Sequence, residues 1–229
     1  MIYISGDMHG EERINEIKSF ILSHTDITYL IILGDFGAIW NEDTSLIRQL
    51  SDLSAMILFI DGNHENFRLL NDYPCRQWKG GYVHCISGNI LHLMRGNIFD
   101  IEGKKFFVFG GAVSSDKSLR EEGISWWPQE EATESELNYA RSVLKCNKKV
   151  DYVLTHCGNM EAVQRLYLMT GNKRLKVCRQ SIKISSLLRD IPYSMWFCGH
   201  YHLDCQIDVY IFLYKTFYGL KTEDAGHER

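Results

Sequence analysis

The chain has 229 residues, 45% hydrophobic and 24% charged, a length and balance that suit one large globular domain better than two small ones. Its net charge of −4, with basic and acidic residues interspersed, leaves no electrostatic footprint for a nucleic-acid backbone or an anionic membrane. Seven cysteines, odd in number and without a C-x-x-C pair, fit reduced thiols, and no apolar run approaches the ~18 residues of a membrane span, so a cytoplasmic setting is expected.

Ile2 to Ile4 is a short β-prone run cut by Ser5-Gly6, and Asp7-Met8-His9-Gly10 follows at once. Ile14, Ile17, Phe20 and Ile21 then recur at helical spacing. Tyr29 to Leu33 is continuously apolar and ends at Gly34-Asp35, as a strand buried on both faces of a parallel sheet does. Leu46, Leu50 and Leu53 mark a second helix, and Met56 to Ile60 a third strand that ends in Asp61-Gly62-Asn63-His64-Glu65. This strand–helix alternation predicts an α/β layer architecture.

Residues 71–81 read as a polar, turn-rich patch. Short β-like runs follow at Tyr82 to Ile86, Ile90 to Met94, Ile98 to Ile101 and Lys105 to Phe109, close enough for hairpins and an antiparallel part of a sheet. Gly110-Gly111-Ala112 opens a long loop through Asp116, Lys117, Arg120 and Trp126-Trp127-Pro128. Thr133 and Glu136 have capping-box spacing ahead of Leu137, Ala140 and Leu144, which predicts a helix start. Asp151 to Thr155 is a strand ending at His156, 160–170 and 177–190 are helical, and Met195 to Cys198 is a core strand ending at Gly199-His200-Tyr201-His202. Residues 205–219 are β-prone, and the charged tail 221–229 is expected to be disordered, leaving 1–220 as a single domain.

Five times a short apolar run ends in residues with metal-ligand chemistry: Asp7/His9, Asp35, Asn63, His156 and His200/His202. Each alone has a plain explanation in turn chemistry or a hydrogen-bonded core histidine. In α/β sheets, however, the carboxyl ends of strands are where ligand sites are built, and five such ends form a pattern. Asp7 and His9, like His200 and His202, are two residues apart, which in extended chain places both side chains on one side. Seven ligand residues exceed the needs of one ion, and the mixture of carboxylate, amide and imidazole suits Mn, Fe or Zn rather than a thiolate zinc site. Two divalent ions sharing a carboxylate, with Asp35 the natural bridge, is the economical reading.

The blocks Asp7-Met8-His9, Gly34-Asp35, Gly62-Asn63-His64-Glu65, His156 and Gly199-His200-Tyr201-His202, in this order, resemble the signature of the calcineurin-like metallophosphoesterases. The resemblance implies an α/β fold, a four-layer αββα sandwich with two mixed β-sheets, and a two-metal centre at one edge of the sheets. It implies that Asp7, His9, Asp35 and His202 hold one ion, that Asp35, Asn63, His156 and His200 hold the second, and that His64 is the general acid. The implied reaction is in-line attack of a metal-bridging hydroxide on a small phosphate ester, His64 protonating the leaving oxygen.

One departure stands out. Phosphoprotein phosphatases of this family carry Asp-Arg three and four residues after the bridging Asp, to orient the acid and clamp phosphate; here those positions are Ala38 and Ile39. This argues against a Ser/Thr phosphoprotein phosphatase and leaves the orienting role to Asp61 or Glu65. Lys117 and Arg120 are candidate phosphate contacts and Trp126 or Trp127 a candidate stacking surface, the plain reading being a solvated charged loop pinned to the core by two Trp; Arg68, on the turn after His64, is a further candidate cation. A nuclease lacks support from the charge balance. A non-catalytic metal-binding scaffold would be expected to have lost ligands, and every ligand position is filled. Nothing in the residues assigns an oligomeric state.

Overall fold

Strands β1 (Ile2–Ser5), β2 (Tyr29–Ile32) and β3 (Met56–Phe59) are almost entirely buried because both of their faces are covered. In β2, Tyr29 and Ile31 enter an apolar layer between two sheets, while Leu30 and Ile32 enter a layer beneath helices. A continuous hydrophobic run is what such double coverage requires. The computed structural model describes residues 1–220; the tail expected to be disordered lies outside the described residues.

The first sheet has seven strands in the order β13-β1-β2-β3-β6-β5-β4, the second six in the order β11-β12-β10-β9-β8-β7. Each is mixed. In the first, β1, β2, β3 and β6 (Ile90–Leu93) run parallel, while β5 (Gly81–Cys85), β4 (Cys75–Trp78) and β13 (Tyr218–Leu220) add antiparallel edges. In the second, β8 (Lys104–Phe109), β9 (Tyr152–Thr155), β10 (Met195–Cys198) and β12 (Tyr210–Phe212) are parallel, with β7 (Ile98–Ile101) and β11 (Cys205–Ile207) antiparallel at the edges. The antiparallel hairpins expected between 82 and 109 are present, but β6 and β8 also pair in parallel with β3 and β9.

Helices α1 (Ile14–Ser23), α2 (Ser45–Ser51) and α3 (Phe67–Asn71) cover the outer face of the first sheet. Helices α4 (Glu134–Cys146), α5 (Met160–Thr170) and α6 (Arg179–Leu188) cover the second. Phe106 and Val108 of β8 face the inter-sheet layer and Phe107 and Phe109 the helices, so the chain is a four-layer αββα sandwich. Thr133 and Glu136 form the expected capping box. The turn-rich patch is corrected: β4 lies within it, and Arg68 belongs to α3 rather than to a turn. Among the described residues no helix is long and apolar enough to cross a membrane, and all seven cysteines are free.

Candidate metal centre

Because β1, β2 and β3 are mutually parallel, as are β9 and β10, their carboxyl ends come together at one edge of the sandwich. Asp7 and His9 follow β1, Asp35 follows β2, Asn63 and His64 follow β3, His156 follows β9, and His200 and His202 follow β10. Two groups of ligand atoms result, each within 4.8 Å: Asp7, His9 and His202, and Asp7, Asp35 and His156. The paired ligands are not on extended chain. His9, His200 and His202 have φ of 52°, 66° and 52°, so left-handed turns, rather than strand alternation, aim these rings.

In the first group His9 Nε2 and His202 Nε2 are 3.0 Å apart, and Asp7 Oδ2 lies 3.7 Å and 3.1 Å from them. That carboxylate oxygen is buried and accepts no hydrogen bond. Burial works to raise the Asp7 carboxyl, but the imidazoles of His202 and His9 outweigh it and hold the group below the ordinary range. Its other oxygen, Oδ1, accepts the His200 backbone N–H at 2.9 Å.

The second group has a stricter logic. His156 Nδ1 is 2.6 Å from the Leu33 carbonyl, which can only accept, so Nδ1 carries a proton and Nε2 is the ring atom left to ligate. Nε2 lies 3.1 Å from Asn63 Oδ1 and 3.3 Å from Asp35 Oδ1. Two oxygens and an imidazole nitrogen converge, a set whose chemistry fits a cation. The His200 ring packs edge-on against His156 with centroids 5.0 Å apart, and burial followed by His156 lowers its pKa to about 4, favouring the neutral, ligating form. Asp7 is common to both groups, whereas the sequence points to Asp35 as the shared carboxylate; the two acids lie together in the second group.

Close packing accounts for the glycines of these blocks. A Cβ on Gly62 would stand 2.0 Å from Asp35 Oδ1, and one on Gly199 2.3 Å from Asp7 Oδ1. Either would displace a ligand.

His64 is half-buried, its backbone N–H donating to Asp35 Oδ1 at 2.8 Å. Burial lowers its pKa, Asp35 opposes this, and Arg120 adds to the lowering. Neither acid expected to orient it does so. Asp61 is buried against Arg95, whose Nε donates to Oδ2 at 2.8 Å and whose Nη2 donates to the same oxygen; His92 Nε2 lies 3.3 Å from Oδ1. Burial works to raise this carboxyl, but Arg95 and His92 hold it well below the ordinary range. Glu65 Oε1 accepts the backbone N–H of Phe36 at 2.7 Å and of Gly62 at 3.4 Å, tying the ends of β2 and β3 together. Its carboxyl is raised well above the ordinary range by burial and then by Asp35. Ala38 and Ile39 are buried beneath the helices.

The group that reaches His64 is Arg120, with Nη2 3.4 Å from Nε2. Asp116 Oδ2 and the Ser125 carbonyl hold the guanidinium at 2.8 Å and 3.0 Å, and its Nε is buried without a partner. Lys117 stands with its ammonium 3.8 Å from the centre of the Trp126 ring. Trp126 and Trp127 are buried, Trp127 against Trp40, so neither offers a free face for stacking. Arg68 is exposed on α3 and makes no hydrogen bond with the site among the described residues.

Sequence reasoning missed Arg13, which is wholly buried. It donates to the Asp7 carbonyl at 2.8 Å, to Ser5 Oγ at 3.2 Å and to the Lys215 carbonyl at 3.2 Å, fixing the chain that carries Asp7. An arginine at a helix start reads as solvated, so no local signal could have found it.

The calcineurin-like phosphoesterase family matches residues 1–204. One solved structure superposes with a TM-score of 0.54 at 11% identity, covering 93% of this chain and 88% of its own. The protein TT1561 of Thermus thermophilus superposes with a TM-score of 0.47 at 12% identity, covering 87% and 80%. No curated protein matches in sequence. At 11% identity the first of these speaks to fold alone. The family match over most of the chain, on a four-layer sandwich with two His/Asp clusters at its strand ends, places this protein in the calcineurin-like phosphoesterase family.

Proposed function

We propose that the protein is a dinuclear metal-dependent phosphoesterase acting on a small phosphodiester or phosphomonoester, such as a cyclic nucleotide or a nucleotide-like molecule. The observation that carries this reading is the convergence of atoms of metal-ligand type: Asn63 Oδ1, Asp35 Oδ1 and His156 Nε2 on one side, and Asp7 Oδ2 with two imidazoles on the other. Asp7, His9, Asp35 and His202 would hold one ion and Asp35, Asn63, His156 and His200 the second, with Mn²⁺ the first choice and Fe or Zn the alternatives. Bound there, two divalent ions supply Lewis acidity toward phosphoryl oxygens and an activated water.

The remaining roles fall to this chain's own groups. His64, fixed at its backbone by Asp35, gives a proton from its ring to the leaving oxygen. Arg120 presents a guanidinium beside that ring and binds a phosphoryl oxygen. With Ala38 and Ile39 built into the core, the Asp-Arg pair of the phosphoprotein phosphatases has no counterpart at those positions, which favours a small substrate.

The test is direct. Purified protein supplied with Mn²⁺ should hydrolyse an aryl phosphodiester or monoester, chelation should stop it, and Asn63→Ala should lose both activity and one bound ion. Metal-independent turnover, or a fully active Asn63→Ala, would sink the proposal. A panel of cyclic nucleotides, dinucleotides and phosphopeptides then resolves the substrate class.

A further inference from the structure

An asparagine ligates a cation only through its oxygen; rotated by half a turn, the same amide aims two protons at the ion. What sets the Asn63 amide is a chain of three buried groups leading away from the metal centre. Asn63 Nδ2 donates to Ser114 Oγ at 3.1 Å. Ser114 Oγ donates to Glu130 Oε2, and the Ser114 backbone N–H donates to Glu130 Oε1 at 3.1 Å. Glu130 is wholly buried, and among the described residues it has no ion-pair partner.

The polarity of this chain follows from its geometry: Ser114 Oγ donates to Glu130 Oε2, so the single proton of the hydroxyl is committed there. Ser114 then has only lone pairs left for Asn63, and the atom that meets them must be the amide N–H. The amide oxygen therefore faces inward, where it stands 3.1 Å from His156 Nε2. Burying a carboxyl is costly unless it is hydrogen-bonded, and both oxygens of Glu130 accept from Ser114.

We infer that Ser114 and Glu130 are positioning residues that lock the Asn63 oxygen toward the second ion; this rests on the two-ion reading above. It also gives a purpose to the Gly-Gly-Ala to Trp-Trp-Pro loop. Ser114 lies just after the Gly110-Gly111 turn and Glu130 just after Pro128, while buried Trp126 and Trp127 pin the intervening chain. The loop thus supplies an outer support to a ligand from another strand end, as the partners of metal-bound groups do elsewhere.

The test is calorimetric titration of the metal-free full chain with Mn²⁺, comparing wild type, Ser114→Ala and Glu130→Gln, with circular dichroism to confirm folding. Glu130→Gln is isosteric, and its amide can donate to Ser114 Oγ, freeing the hydroxyl proton to point at Asn63 and turn that amide over. Wild type should bind two ions. Each variant should keep one at wild-type affinity and bind the other about 10- to 100-fold more weakly. Either variant suffices should the other fail to fold. Two unchanged affinities would overturn the inference, as would equal weakening of both ions, which marks a general structural role. A wild type that binds no ion would instead overturn the two-ion reading, and this inference with it.

Discussion

Arg120 Nη2 lies 3.4 Å from His64 Nε2, bringing a guanidinium from the loop after β8 to an imidazole at the end of β3. Ala38 and Ile39, where relatives that act on phosphoproteins carry an acid and an arginine, are buried side chains in the helix-facing core. The cation near the proposed acid has thus come from a different part of the chain, with Asp116 holding it in place.

Arg120→Ala should lower kcat/KM for an aryl phosphodiester about 10²-fold, on the scale of losing one charge-stabilising donor in an active site. Arg120→Lys should recover part of the loss, because it restores charge without the planar fork. Asp116→Asn should cost less than Arg120→Ala, since it loosens the guanidinium without removing it. Steady-state kinetics at saturating Mn²⁺ decides this; an Arg120→Ala enzyme with wild-type kcat/KM would remove Arg120 from the site.

His64→Ala separates proton donation from ion binding. With a poorly leaving alkoxide, activity should fall about 10²- to 10⁴-fold, the usual range for a lost general acid. With a nitrophenyl ester, whose leaving group departs without protonation, the loss should be much smaller, and the variant should still bind two ions. Equal losses on both substrates would take the acid role away from His64.

Asp61→Asn is expected to destabilise the metal-free protein by about 3–5 kcal/mol, the cost of leaving a buried partner charge, here Arg95, uncompensated. Replacing both residues, as Asp61→Asn with Arg95→Met, should recover part of it. The pH dependence has a definite sign. The folded carboxyl lies below its unfolded value, so the contribution is fully present above about pH 3.9 and is lost as pH falls further toward the folded value. Urea denaturation across this range reads both effects.

His84 and His92 stack behind Asp61 with their Nδ1 atoms 2.9 Å apart. Burial, and then His92, lowers the His84 pKa to about 4. The folded state therefore binds fewer protons than the unfolded one, whose histidine titrates near about 6.5. Stability from this source is complete above that value and declines as pH falls from about 6.5 toward about 4. His84→Phe should flatten that part of the stability–pH curve, measured by denaturation midpoints of the metal-free protein; an unchanged slope would exclude His84 as its origin.

Much of this molecule is legible in its residues because burial on two faces leaves a local mark. The apolar runs 29–33 and 56–60, the helical spacing of Ile14, Ile17 and Ile21, and the Thr133/Glu136 cap report elements whose neighbours in sequence suffice to define them. The ligand blocks are legible for the same reason: each ends such a run, and parallel strands must deliver their ends to one edge. Strand β4 left no mark, because Cys75, Arg76 and Gln77 are exposed on an edge and show no hydrophobic pattern.

Partnership between distant segments is what only the tertiary structure decided. That Asp61 belongs to Arg95 and not to His64, that Arg13 braces Asp7, and that Glu130 sets the Asn63 amide through Ser114 all depend on how two sheets and their loops pack. The amino-acid sequence alone determined which residue types could meet at the strand ends. Which lone pair and which proton face each other there is a matter of orientation across residues tens of positions apart, and no local periodicity encodes it.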